Sequence, residues 1–104
     1  MSVSVERALK DLVKTGIFTM GYRRSIKAVK NGEAKAVIIA ENTPPELRAK
    51  IEYYSRLAGV PVLVYRGTRM DMGLVMGRRH GVSVVAVIDE GSSKIVEIVE
   101  EAVR

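Results

Sequence analysis

The sequence feature that most constrains the fold is an uninterrupted apolar run at positions 36–40, Ala-Val-Ile-Ile-Ala. Successive side chains of a strand point to opposite faces of a sheet, so a strand exposed on one face alternates apolar with polar residues. A run without alternation is typical of a strand that is covered on both faces. We therefore expect a sheet with helices packed on both sides.

The rest of the chain alternates between helical stripes and short apolar runs. Strands are predicted at 17–20, 36–40, 62–65 and 82–88. Helices are predicted up to Gly16, from Tyr22 to about Asn31, from the position after Thr43 to Gly59, at 68–76 and at 95–102. The last of these also suits a strand, because it is rich in β-branched residues. The order predicts one domain over 1–104, a three-layer α/β/α sandwich around a four-stranded mixed sheet, with 82–88 as a central strand.

Two threonines are predicted to cap helices. Thr43 is followed three residues later by Glu46, the spacing of a capping box, and proline, which occupies both positions between them, suits the first helical position. Thr68 has Asp71 at the same spacing. The helix after Thr43 is therefore expected to start sharply.

The composition narrows the possible functions. The chain has 104 residues, with 17 Lys+Arg against 12 Asp+Glu, a net charge of +5 and a pI near 9.7. A pI this high in a small domain fits a nucleic-acid partner, although a basic protein without one has the same composition. The absence of cysteine and the single histidine exclude disulfides, thiolate sites and multi-histidine metal sites. Neither a metal nor a cofactor is predicted.

The sequence contains no signal for a membrane. The segment Met1–Lys14 carries Glu6, Arg7, Lys10 and Asp11, so it is not predicted to be a signal peptide. No apolar run approaches the length of a membrane span. The expected location is the cytoplasm.

The clearest candidate site lies where the first predicted strand meets the second predicted helix. Gly21 permits a tight turn, and the helix after it begins with free N–H groups and a positive dipole end. Arg23, Arg24, Lys27 and Lys30 add positive charge to that segment. A glycine turn, a helix N-terminus and clustered basic residues are together typical of a phosphate site. The alternative is a turn followed by a solvated basic face.

Two further loops supply polar groups. Glu41-Asn42 and Arg66-Gly67 each follow a predicted strand, as Gly21 does, and the three loops share one edge if those strands run parallel. Asn42 can both donate and accept hydrogen bonds. It can therefore read a base edge, or it is a turn residue before a capped helix.

A second basic loop runs from Gly77 to Gly81 and contains Arg78, Arg79 and His80. It can wrap phosphates with His80 stacked on an unpaired base, or it is an exposed connector. His80 is not predicted to be a catalytic base, because no nucleophile or orienting carboxylate is adjacent to it in sequence. The sequence therefore favours a non-enzymatic binder of structured RNA. A nucleotide-binding enzyme and a protein-interaction module on the same fold are the alternatives.

Several stretches of the chain resemble the L-thirty-e family of ribosomal proteins, which is related to the L-seven-Ae proteins. They are residues 20–27 (Met-Gly-Tyr-Arg-Arg-Ser-Ile-Lys), 36–44, 51–59, 72–78 and 84–87. The Ile-Glu-Tyr-Tyr segment at 51–54 is particularly specific. The similarity covers nearly the whole chain in order, and the sequence looks archaeal.

The resemblance implies an α/β/α sandwich that binds ribosomal RNA in the large subunit, at a sharply bent internal loop called a kink-turn. It implies that the first strand–helix turn holds the RNA, that Asn42 reaches a guanine edge, and that Gly73 and the loop 78–80 close the site. The full predicted RNA-binding set is Gly21, Tyr22, Arg23, Arg24, Ser25, Lys27, Lys30, Glu41, Asn42, Gly73, Arg78, Arg79 and His80.

The same resemblance implies the partners and the location. The protein is expected to be a monomer when free, and to be ribosome-associated in the cytoplasm. Ribosomal RNA and neighbouring ribosomal proteins are the expected partners, with its own transcript as a further candidate.

The sequence departs from its relatives at two places. L-seven-Ae proteins carry Asn-Glu where this chain has Arg23-Arg24, which argues against the box C/D and H/ACA role of that branch. Some L-thirty-e members place an aromatic residue where this chain has His80, so stacking at this position stays open.

Overall fold

The computed structural model describes residues 2–103, with side chains from residue 5 onward. Five helices and four strands alternate along this part of the chain. The helices are α1 (Ser2–Thr15), α2 (Tyr22–Lys30), α3 (Pro45–Ala58), α4 (Arg69–Val75) and α5 (Ile95–Ala102). The strands are β1 (Ile17–Met20), β2 (Ala36–Ala40), β3 (Val62–Tyr65) and β4 (Val84–Asp89). The predicted order of elements is confirmed, and the last element is a helix.

The four strands form one mixed sheet in the order β1-β4-β2-β3. β4 is antiparallel to both β1 and β2, and β2 is parallel to β3. It follows that β1, β2 and β3 all run in one direction and that β4 runs in the opposite direction. β4 is a central strand of the sheet, as predicted. We call the end of the sheet where these three strands finish and β4 begins the loop end. The loops at 21, 41–44, 66–68 and 77–83 meet there.

Two apolar cores lie on opposite faces of the sheet, because side chains alternate along β2 and β4. Ile38 packs with residues of α1, α4 and α5, whereas Ile39 packs with residues of α2 and α3. Both side chains are fully buried, and burying a side chain of this size contributes on the order of 1.5–3 kcal/mol. The predicted three-layer α/β/α sandwich is confirmed.

The ends of the helices bear out one predicted cap and correct the other. At α4 the Thr68 hydroxyl accepts the Asp71 N–H at 3.2 Å, and the Asp71 carboxylate accepts the Thr68 N–H at 2.9 Å, which is the predicted capping box. The prediction for Thr43 is wrong. The N-cap of α3 is Pro44, and the buried Thr43 hydroxyl donates to the Ser83 carbonyl at 3.1 Å. This threonine ties the loop after β2 to the strand beside it.

Near α4, Met72 and Met76 are buried, whereas Met70 lies on the outer side of the helix and is 51% exposed. The central strand starts at Val84 rather than Val82, because the Val82 N–H donates to the Arg69 carbonyl of α4. Among residues 2–103, no helix is both long and apolar enough to cross a membrane.

Candidate nucleic-acid interface

The turn between β1 and α2 requires glycine. Gly21 has φ 98° and ψ 155°, a conformation that is essentially restricted to glycine. Its N–H donates to the Val84 carbonyl at 2.8 Å, which holds the turn on the central strand. A Cβ placed on Gly21 would meet nothing within 4 Å. The backbone conformation therefore selects glycine here, and the space in front of the turn is open to a ligand.

The start of α2 presents positive charge and unpaired N–H groups to this open space. The helix has no side-chain cap, and the first N–H groups of a helix have no intrahelical partner. Arg23 and Arg24 are exposed. They line a shallow groove together with Gly21, Tyr22 and Leu47 of α3. Helix dipole and side chains thus favour an anion at the same place.

Three other predicted residues of α2 have different surroundings. Ser25 is fully buried, and its hydroxyl lies 2.9 Å from the Thr19 hydroxyl, so it supports the turn from beneath. Lys27 is exposed one turn further along the helix. Lys30 is the last residue of α2, and its Nζ lies 4.4 Å from the centre of the Tyr54 ring. Lys30 is therefore not brought to the loop end.

The loop after β2 contacts the start of α4. The Asn42 Oδ1 accepts the Arg69 N–H at 2.8 Å, which satisfies one of the free donors of that helix. The Nδ2 group has no hydrogen-bond partner among the described residues, so both of its N–H donors are available to a ligand. Glu41 is exposed, and its N–H donates to the Gly67 carbonyl at 3.1 Å. These bonds join the second and third loops.

The loop at 77–81 packs directly on α4 at Gly73. A Cβ on Gly73 would overlap the backbone oxygen of His80. The Arg78 N–H donates to the Gly73 carbonyl at 2.8 Å. The Arg78 Nε lies 3.4 Å from the Met20 sulfur at the end of β1, while Arg79 and His80 are exposed. Gly73 therefore acts through close packing that fixes the position of the loop.

Two exposed arginines at the loop end were not in the predicted set. Arg66 directly follows β3, and Arg69 is the first residue of α4. The signal for Arg66 was its place after a strand, and the signal for Arg69 was its place after the capping Thr68. Both can be placed at the loop end once β3 is known to run parallel to β2.

Among the side chains that the structure describes, the arginines at the loop end have no carboxylate partners. Among the side chains of residues 5–103, the ion pairs are Arg7 with Asp11 at 3.6 Å and Arg48 with Glu52 at 3.4 Å, on α1 and α3. The unpaired arginines of the loop end are Arg23, Arg24, Arg66, Arg69, Arg78 and Arg79. In the same part of the chain, no group of three His, Asp or Glu residues is placed to hold a metal ion. The arrangement suits a polyanion.

The fold and the exposed arginines place this chain among small α/β/α sandwich proteins with a basic surface at one end of the sheet. The profile of the Ribosomal protein L7Ae/L30e/S12e/Gadd45 family matches residues 3–97, and the chain belongs to this family.

Similar proteins carry the name large ribosomal subunit protein eL30. The one from Aeropyrum pernix is 76% identical, covering 96% of this chain and 100% of the relative. Those from Methanopyrus kandleri and Methanocaldococcus jannaschii are 46% and 38% identical over 96% of this chain, and over 92% and 91% of the relatives. The resemblance to archaeal L-thirty-e proteins is confirmed. The ribosomal names of the relatives support the prediction of a non-enzymatic protein.

Proposed function

We propose that this protein is a structural constituent of the large ribosomal subunit and that its loop end binds ribosomal RNA at a kink-turn-like internal loop. In this proposal it is ribosome-associated in the cytoplasm and monomeric before assembly, with neighbouring ribosomal proteins as further partners. The large-subunit assignment is supported by the names of its relatives. The RNA assignment needs an argument from the surface itself.

The observation that carries the proposal is the convergence of unpaired arginines from separate loops at one end of the sheet. Arg23 and Arg66 follow different strands, and Arg78 reaches the end of β1 from a third loop. Because the strands bring these loops to one end of the sheet, the charges come from separate loops and form an array rather than a stripe along one helix. A sharply bent RNA presents phosphates from several directions and fits such an array better than a straight duplex does.

Phosphate contacts would supply most of the affinity and Asn42 part of the specificity. Since the Asn42 Oδ1 is already bonded to Arg69, its Nδ2 hydrogens are available to an acceptor. Guanine presents two acceptors, O6 and N7, on its major-groove edge. This chemistry supports the expectation that Asn42 reaches a guanine.

The test is binding to a kink-turn RNA and to a fully paired duplex of equal length, measured across a salt series. We expect a clear preference for the kink-turn at moderate salt. Equal binding with the same steep salt dependence for both RNAs would mean that the arginines form only a general polyanion surface. Stabilisation against heat by a mononucleotide, with none by folded RNA, would favour the nucleotide-binding alternative instead.

A further inference from the structure

A second groove opens from the loop end and runs between α2 and α3. It is lined by Tyr22, Glu46, Leu47, Lys50, Tyr53 and Tyr54. Tyr22 and Leu47 also line the groove at the Gly21 turn, so the two grooves are continuous. A strand bound at the turn can therefore extend along α3 without leaving the protein surface.

The two tyrosines in this groove contact each other. The rings of Tyr53 and Tyr54 meet edge to face, with centroids 5.3 Å apart and planes at 78°. Tyr54 is also covered by the ammonium group of Lys30 at 4.4 Å. Tyr53 is 53% exposed, so its ring is accessible to a ligand while its edge contact with Tyr54 restricts it. A side chain with few rotatable bonds loses little conformational entropy when a ligand stacks on it.

The charges along the groove favour a nucleic acid. Lys50 lines it, Lys30 lies over Tyr54, and the two arginines at the start of α2 stand at its mouth. Glu46 is the acidic residue among the lining side chains. A groove that combines basic residues with an exposed aromatic face is the arrangement that binds single-stranded nucleic acid, because every base has a face that can stack.

We propose that this groove binds an unpaired nucleotide of the same RNA, with its base stacked on Tyr53 and its phosphate beside Lys50. The inference rests on the proposed function, because the strand enters from the loop end. Leu47 and Tyr53 are six residues apart on α3, which corresponds to about 9 Å of helix. A short unpaired extension therefore reaches the ring. The base must be unpaired, since a duplex does not expose base faces inside the stack.

The test compares a blunt kink-turn RNA with the same RNA carrying an unpaired dinucleotide at its 5′ or 3′ end. For the wild-type protein, we expect the extension at one end to lower Kd by about tenfold, within the range for stacking of one base on an aromatic ring. Tyr53→Ala should abolish this gain and leave the affinity for the blunt RNA unchanged. Tyr53→Phe, which keeps the ring, should retain it.

Leu57→Ala is the matched control, because Leu57 is 68% exposed one turn further along α3 and does not line the groove. It should behave as wild type with every RNA. A 2-aminopurine base in the extension should be quenched by the wild type and by Tyr53→Phe, but not by Tyr53→Ala.

Three outcomes overturn the proposal: no gain from an extension at either end, a gain that persists in Tyr53→Ala, or an equal loss of the gain in Leu57→Ala. The first outcome would favour a protein as the partner that binds in the groove. The same extensions are placed on the paired duplex, so the contribution of Tyr53 is measured whether or not the kink-turn is preferred. A negative result for nucleotide binding in the groove is thereby distinguished from a negative result for kink-turn recognition.

Discussion

The two ends of the Asn42 side-chain amide have different roles, one in the fold and one at the exposed surface. Its Oδ1 accepts the Arg69 N–H at 2.8 Å at the start of α4. The Nδ2 group has no hydrogen-bond partner among the described residues, and the residue is exposed. One substitution can separate these two roles, because aspartate keeps the acceptor and removes the donors.

We expect Asn42→Asp to weaken binding to kink-turn RNA by roughly 1–3 kcal/mol, the value of a good contact to a base edge. The free energy of unfolding should stay within about 0.5 kcal/mol of wild type, because the carboxylate accepts the same N–H and suits a helix N-terminus. RNA titration and urea denaturation measure the two effects. Unchanged affinity would remove Asn42 from the interface.

Ser55, by contrast, is a polar side chain that makes no hydrogen bond within the described residues and is not accessible to a ligand. It is fully buried in α3, and its hydroxyl has no hydrogen-bond partner among the described residues. An unpaired buried hydroxyl costs about 1–3 kcal/mol, and alanine is also a better helix former. We predict that Ser55→Ala raises the free energy of unfolding by about 1 kcal/mol and leaves RNA affinity unchanged. A loss of stability in urea denaturation would show that the hydroxyl has a partner.

At the scale of elements, the contact between α4 and the loop at 77–81 positions part of the site. The loop backbone lies against Gly73 so closely that a methyl group there would overlap the oxygen of His80. The loop in turn carries Arg78 to the end of β1. Packing against α4 therefore determines the position of the basic loop at 77–81.

Gly73→Ala should force the loop away from α4 and cost about 1–3 kcal/mol of stability, as overpacking in a tight contact does. RNA binding should weaken as well, because Arg78 and its neighbours move. Amide NMR spectra should show the shifts concentrated in residues 77–82. Leu74→Ala is the control, since Leu74 is 66% exposed on the same helix. Wild-type spectra and affinity for Gly73→Ala would contradict the packing argument.

The elements and their order could be predicted from local pattern, whereas contacts between loops could not. The apolar run of β2 and the glycines that end helices act within a few residues, so sequence spacing reveals them. Thr43 shows the limit, because its hydroxyl donates to Ser83, forty residues away, instead of capping α3. Arg66 and Arg69 were left out of the predicted set for the same reason, since only the strand directions place them at the same end of the sheet as Arg23.

At the scale of the whole molecule, stability depends on pH through Tyr65, the last residue of β3. Burial raises the pKa of its hydroxyl above the ordinary value of 10.0, and the negative charges of Glu6 and Asp71 raise it further. Above that ordinary value the unfolded chain loses this proton before the folded chain does. The free energy of unfolding contributed by Tyr65 is therefore complete below about pH 10 and falls as the pH rises beyond it.

Tyr65→Phe should remove this part of the alkaline destabilisation. Urea denaturation of the two proteins between neutral pH and high pH would measure it as a difference that appears only in alkali. The two proteins differ only at residue 65, so the comparison isolates the tyrosine. A parallel loss of stability in both would assign the alkaline sensitivity to other groups.

The position of charge matters for the proposed function, beyond its net amount. Arg23 and Arg24 lie at the loop end, whereas Lys35 precedes β2 and Lys94 follows β4, at the opposite end of the sheet. All four side chains are exposed. Two alanine double variants therefore lower the net charge of +5 by the same amount at opposite ends of the molecule.

Arg23→Ala with Arg24→Ala should reduce the slope of log K against log salt by about 2, one unit for each lost phosphate contact. Lys35→Ala with Lys94→Ala should leave this slope and the preference for the kink-turn unchanged, because those charges lie too far from the RNA to release its counterions. Equal effects of the two double variants would mean that RNA responds only to net charge. A difference confined to the loop-end variant would require that RNA is bound where the strands finish, since net charge, fold and size are the same in both proteins.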